Sequence, residues 1–171
     1  WTPSSTGMVG GVTRHGLAID PTNPLTVYAG SSGRVNKSVD GGLTWTPFTA
    51  GLPTVGGYLQ SLVIDPSNPA TLLGGEVTGV ARSTDAGVSW TISRSGIRTL
   101  TIRGITADPT DPNVLYAIAQ QVGVLKSVDG GATWAEINAG LGTTTYFERV
   151  LVDPVTPSNL YLLWSFGGGI S

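Results

Sequence analysis

SVDGGLTW (Ser38 to Trp45), STDAGVSW (Ser83 to Trp90) and SVDGGATW (Ser127 to Trp134) are three versions of one phrase, Ser-x-Asp-x-Gly-x-Ser/Thr-Trp, and their tryptophans step by 45 and 44 residues. A second phrase runs between them: AIDPTNP (Ala18 to Pro24), VIDPSNP (Val63 to Pro69), TADPTDP (Thr106 to Pro112) and LVDPVTP (Leu151 to Pro157), with Asp20, Asp65, Asp108 and Asp153 spaced by 45, 43 and 45. Self-similarity at a fixed period marks an array of like units, each too small to bury its apolar face except against the next.

Each repeat holds four short apolar runs bounded by turn residues, in the first GLAID, TVYAG, GRVNKS and TWTPF. Runs rich in Val, Ile, Leu, Thr, Tyr and Trp, punctuated by Gly, Pro, Asn and Asp, read as strands, and no amphipathic helical period competes with them. Four strands in about 44 residues is the size of a propeller blade. The predicted fold is therefore an all-β propeller of four-stranded antiparallel blades, about four in this chain. Trp1 opens WTPSSTGM, which aligns with WTPFTAGL from Trp45, WTISRSGI from Trp90 and WAEINAGL from Trp134, while GGGIS at the C-terminus aligns with RVNKS and puts Ser171 on the first residue of a further phrase. The expected organisation is a single propeller or propeller segment over 1–171, in permuted repeats of approximately 1–44, 45–89, 90–133 and 134–171.

The phrase Ser-x-Asp-x-Gly-x-Thr-Trp, with the hydrophobic-Asp-Pro-x-x-Pro phrase downstream, resembles the Asp-box, or bacterial neuraminidase repeat, of Asp-box propellers. That group includes sialidases, xyloglucan-hydrolysing glycoside hydrolases, the sortilin ectodomain and the photosystem II assembly factor. The resemblance covers the whole chain and implies the propeller fold. It leaves function open, because one fold hosts unrelated activities and only a site chooses among them.

The repeated residues read as architecture. Asp40, Asp85 and Asp129 sit where a short carboxylate accepts hydrogen bonds from backbone N–H groups a few residues on, closing a hairpin turn that begins at Ser38, Ser83 and Ser127. Gly42, Gly87 and Gly131 are expected at positive φ, and the preceding position, which holds Ala86 in the second copy, is expected not to need it. Trp45, Trp90 and Trp134 then fold under the turn, each indole N–H requiring a partner. Asp20, Asp65, Asp108 and Asp153 form Asx-turns beside prolines that preset φ. No phrase supplies the alternating oxygen ligands of a calcium loop, so no metal is expected. Asn36-Lys37-Ser38 matches a glycosylation sequon, a triplet that also arises by chance.

Composition narrows the function classes. Charged residues are 12% of the 171, against roughly 25% in ordinary domains. A net charge of −2 without a basic stripe argues against nucleic acid and anionic membranes as partners. No apolar run is long enough to span a bilayer, and WTPSSTGMVGG has neither the basic start nor the apolar core of a signal peptide. The absence of Cys removes thiolate chemistry and Cys-ligated zinc, and the single His15 makes no metal site alone, so no cofactor is expected. Seven of the 11 acidic residues belong to the repeated turns, which explains the low charge and leaves few carboxylates for chemistry.

Up-and-down strands put the Asp-Pro turns and the Ser-x-Asp turns on one face, so the segments that differ between repeats share the other, which is the candidate working face. There His15, Gln60, Arg103 and Arg149 are read at one position before the innermost strand, with Glu148 beside them and with Tyr58, Tyr146, Phe147, Trp164 and Phe166 as flat surfaces for a sugar or peptide. A sialidase, as the resemblance implies it, needs three Arg, a Tyr nucleophile and an Asp acid; the family's Phe/Tyr-Arg-Ile-Pro segment is absent, and no Asp outside the turns remains as acid. Acid–base glycoside hydrolysis needs two carboxyls about 5–9.5 Å apart. Glu136 lies on an outer strand, so Glu76 and Glu148 are the pair a hydrolase would have to use. The favoured reading is a non-catalytic scaffold, extracellular or periplasmic, that binds a carbohydrate or protein ligand on its variable face, alone, as a homo-oligomer or within a longer propeller chain. The alternative is a glycoside hydrolase or a fragment of one.

Overall fold

The computed structural model describes residues 5–9, 16–53, 57, 59–98, 101–142 and 146–164. Among these, all regular structure is β. The first sheet holds β1 (Leu17–Ile19), β2 (Val27–Ser31), β3 (Arg34–Ser38) and β4 (Thr46–Phe48). The second holds β5 (Ser61–Ile64), β6 (Leu72–Glu76), β7 (Gly79–Ser83) and β8 (Thr91–Ser93), and the third β9 (Ile102–Ala107), β10 (Leu115–Ala119), β11 (Gly123–Ser127) and β12 (Ala135–Glu136). The fourth pairs β13 (Phe147–Val152) with β14 (Leu160–Trp164). Every pairing is antiparallel between sequence neighbours, the meander of a propeller blade.

Turn chemistry repeats with the sequence. In each Ser-x-Asp turn the serine hydroxyl donates to the Asp Oδ1 (Ser38–Asp40 2.7 Å, Ser83–Asp85 2.8 Å, Ser127–Asp129 2.7 Å) and accepts the N–H of Gly42, Gly87 or Gly131. The same carboxylate accepts both the N–H and the hydroxyl of Thr44, Ser89 or Thr133, four residues on. Those hydroxyls, then those N–H groups, hold Asp40, Asp85 and Asp129 down to about 2, against 3.8 for a free side chain. In the other turns Asp20, Asp65, Asp108 and Asp153 each accept N–H bonds two and three residues on. The two kinds of turn touch: the N–H of Gly41, Ala86 and Gly130 donates to the carbonyl of Leu25, Ala70 and Asn113. Both lie at one end of the blades, as the meander requires.

One expectation fails in these turns. Gly42, Gly87 and Gly131 do take positive φ, but so does the position before each of them: Gly41 at 72°, Ala86 at 57° and Gly130 at 66°. Ala86 is thus a left-handed alanine, tolerated by a turn that its hydrogen bonds over-determine.

Neighbouring sheets pack face to face around three apolar clusters. Tyr28, Val35, Leu62 and Trp90 join the first two sheets. Leu73, Val80, Ile105 and Trp134 join the second and third, and Tyr116, Ile118, Phe147 and Val150 join the third and fourth. Each Trp thereby closes the seam to the preceding sheet, and Trp90 and Trp134 donate their indole N–H to Gly87 and Gly131 carbonyls at 3.0 and 3.1 Å. Trp45 of the first sheet keeps a buried Nε1 without a partner.

A strap reinforces the first two seams. After β4 and β8, the carbonyl of Ala50 or Ser95 accepts the N–H of Trp90 or Trp134 in the next sheet, and Thr6 does the same for Trp45 of the first sheet. The following glycine, Gly51 or Gly96, lies at φ 80°, where a Cβ would meet the Trp90 or Trp134 carbonyl oxygen at 1.8 Å, so two independent constraints demand glycine. Arg82 Nε donates across the same kind of seam to the Gly130 carbonyl at 3.1 Å, as Lys37 does to Ala86.

Candidate binding cleft

The innermost strands β1, β5, β9 and β13 pack in sequence and line a cleft of about 980 Å³. Its floor is apolar, formed by Leu62, Ile105 and Val150, and its charged and amide groups come from the residues that enter those strands: Gln60, Arg103, Glu148 and Arg149. A large apolar cleft with a few convergent polar groups is the usual form of a ligand site.

Strand register decides which of these groups are equivalent. Pairing between β9 and β10 jumps from Ile102↔Ala119 to Gly104↔Ile118, leaving Arg103 on a bulge. The β13–β14 ladder jumps likewise from Phe147↔Trp164 to Arg149↔Leu163, which leaves Glu148 on the matching bulge. Glu148, rather than Arg149, therefore shares the position of Arg103 and Gln60, five residues before the turn aspartate. A bulge re-aims the extra side chain. Here it brings Arg103 Nη1 to 3.1 Å from Glu148 Oε1 and 3.3 Å from Oε2, an ion pair between adjacent sheets whose side chains are 35% and 40% exposed. At that exposure its stabilising contribution is about 0–1 kcal/mol, so its chemical interest is the charge it presents to the cleft.

The remaining candidates divide. His15, Tyr58 and Phe166 lie outside the described residues. Tyr146 and Trp164 are exposed but do not line the cleft. Phe147 is no flat surface for a ligand: it is buried in the seam between the third and fourth sheets. Glu76 ends β6 fully buried and off the cleft wall, its Oε2 accepting the N–H and hydroxyl of Thr78 at 2.6 and 2.5 Å while Oε1 has no partner. The cleft thus contains Glu148 without Glu76. Asn36 is wholly buried, donating to Ser31 Oγ at 3.1 Å and accepting the Val9 N–H at 3.2 Å, which closes the sequon to modification in the folded chain. Pattern reading missed Met8, Trp45 and Ser61, which line the cleft; of these Trp45 was visible only as a turn residue. Among the described residues no cluster of His, Asp or Glu has the makings of a metal site, and no helix is long and apolar enough to cross a membrane.

No protein-family model and no curated protein matches the chain. Solved structures do. The GH74 enzyme of Niastella koreensis superposes with a TM-score of 0.69 at 24% identity over 86% of this chain and 25% of its own, and the GH74 xyloglucanase of Xanthomonas campestris with 0.60 at 20% over 73% and 23%. YCF48 bound to D1 peptide gives 0.58 at 19%, over 71% of this chain and 39% of its own. The fold is a β-propeller. At these identities the likeness is one of fold, and this propeller chain spans about a quarter of the length of the two GH74 structures and about two-fifths of YCF48.

Proposed function

We propose that this chain is a non-catalytic binding scaffold, an Asp-box propeller or propeller segment that holds a carbohydrate or peptide ligand in the cleft between its inner strands. One observation carries the reading. Every turn aspartate is engaged by its own turn, and the carboxylate that lines the cleft, Glu148, is already paired with Arg103. Acid–base glycosidic cleavage needs a second carboxyl about 5–9.5 Å away, and Glu76 is buried elsewhere. What the cleft offers is an apolar floor, two guanidinium groups and an amide, a set suited to binding hydroxyl-rich or carboxylate-bearing ligands. The likeness to a peptide-bound YCF48 supports a peptide, and the likeness to a xyloglucanase supports a glycan. The low charge and the Ser, Thr and Gly content agree with a place outside the cytoplasm.

A combined glycan and peptide array probed with the wild-type chain and with Arg103→Ala tests this. Retention of a ligand by the wild type and its loss in the variant is the expected result; no retained ligand of either class removes the reading. The second reading, a segment of a glycoside hydrolase, is favoured by the 86% of the chain that superposes on a GH74 enzyme. It requires turnover of xyloglucan that Glu148→Gln abolishes.

A further inference from the structure

Charge is sorted along the blades. All eight aspartates of the chain belong to the turns at one end, and Lys37, Arg82 and Lys126 lie on that side of β3, β7 and β11. Among the described residues, five arginines occupy the opposite end. Arg34 closes the β2–β3 hairpin, Arg94 and Arg98 follow β8, and Arg103 and Arg149 stand near the start of β9 and β13, where they line the cleft. The acids that share this end are Glu76, which is buried, and Glu148, which is paired with Arg103. A net charge of −2 therefore conceals a molecule that is negative at its turns and positive where the polar groups of the cleft stand. Such a field draws an anion to the cleft and repels it from the turns.

Resting on the cleft's role as a ligand site, we propose that its ligand is an acidic glycan carrying uronate units, and that Glu148 holds the place of a uronate carboxylate on Arg103 until the glycan arrives. Arg103 already shows what it accepts. Its Nη1 lies 3.1 and 3.3 Å from the two carboxylate oxygens of Glu148, a group presented by the neighbouring sheet. A pair whose side chains are 35% and 40% exposed is weakly held, so a carboxylate from outside exchanges with it readily. Arg149, exposed on the cleft wall, supplies a second guanidinium. Exchange leaves Glu148 beside the ligand, and a carboxylate only accepts hydrogen bonds. The ligand must therefore bring an anion and hydrogen-bond donors within the span of one ion pair. A uronate ring carries its carboxylate beside its hydroxyls, whereas an Asp or Glu side chain of a peptide carries the anion alone. Gln60, at the same place in the second sheet, adds an amide that both donates to and accepts from hydroxyls. The floor of Leu62, Ile105 and Val150 receives the C–H face of a ring. The arginines stand on separate segments rather than in a row, which suits carboxylates spaced along a sugar chain better than the dense phosphates of nucleic acid.

Isothermal titration calorimetry of the 171-residue protein with hexagalacturonate, its fully methyl-esterified form and hexaglutamate, at low and high salt, tests the proposal. The acid form is expected to bind about tenfold or more tighter than the ester, to bind more tightly than hexaglutamate, and to lose affinity as salt rises. Arg103→Gln and Arg149→Gln should each weaken hexagalacturonate by about 10-fold or more, the worth of a hydrogen bond to a charged group, and leave the ester nearly unchanged. Glu148→Gln should have the opposite sign: with the competitor gone, hexagalacturonate should bind about two- to fivefold more tightly. A pair that only braces the two sheets would instead weaken binding in all three variants. Acid and ester bound alike, hexaglutamate preferred, no binding of any of the three, or a Glu148→Gln variant that binds no tighter than wild type overturns the proposal. The wider reading of the cleft survives each of those results while some glycan or peptide is retained on the array, and falls only when none is.

Discussion

Leu17 and Leu62 are the same residue at the same place in successive repeats, and among the described residues only Leu62 packs into a seam between sheets. Replacing each with Ala isolates what blade stacking contributes. Leu62 is 6% exposed and sits among Tyr28, Val35 and Trp90, so Leu62→Ala should cost about 2–5 kcal/mol, the range for a buried leucine. Leu17 is 67% exposed. With about a third of its surface removed from water, and roughly 1.5–3 kcal/mol for complete burial of such a side chain, Leu17→Ala should cost about 0.5–1 kcal/mol. A difference of about 2 kcal/mol in a chain of this length corresponds to a midpoint lower by about 4–8 °C for Leu62→Ala. The assay is thermal and urea unfolding followed by Trp fluorescence in dilute protein, where only the single chain is present. Equal losses at the two sites would refute the reasoning, since they would mean that Leu17 already has a neighbour or that seams contribute nothing.

Three other outcomes follow from local geometry. Ala86→Gly relieves a left-handed alanine and should raise stability by about 1 kcal/mol, read as a shift of the urea midpoint without a change of slope. Gly96→Ala puts a Cβ 1.8 Å from the Trp134 oxygen, whereas at Gly140, with a similar φ of 84°, nothing stands within 4 Å, so Gly96→Ala should destabilise well beyond Gly140→Ala in thermal scans. The carboxyls of Asp40, Asp85 and Asp129 are lowered from 3.8 to about 2, so their contribution is fully present above pH 3.8 and is lost as pH falls through about 2. The midpoint temperature should therefore hold steady down to about pH 4 and drop below it, less steeply in Asp129→Asn.

The blade was legible because its determinants are local and repeated. A serine hydroxyl bonded to a carboxylate two residues on, and a carboxylate bonded to the fourth residue on, are fixed by spacing along the chain, so the same letters give the same turn three times. The strands follow from apolar runs between those turns. What sequence could not convey was anything decided by register. The place of Arg149 is a matter of counting instead, and reading it at the place of Arg103 is one residue off: Glu148 stands five residues before Asp153 as Arg103 does before Asp108, and the matching bulges agree with that spacing. Phe147 reads as an available aromatic until the pleat turns it into the seam, and Asn36 reads as a sequon until its amide is found buried against Ser31. Left-handed Ala86 was hidden for a different reason: a non-glycine residue normally signals an ordinary φ, and here the turn's hydrogen bonds outweigh the residue's preference.

The most direct test of the central claim, a cleft that binds without cleaving, is mass spectrometry of xyloglucan oligosaccharides and of a sialoside after prolonged incubation with the wild-type chain and with Glu148→Gln. With Glu148 paired to Arg103 and Glu76 buried away from the cleft, every glycan should be recovered at its starting mass from both. Shortened products from the wild type that disappear with Glu148→Gln would contradict the account and make Glu148 a catalytic residue.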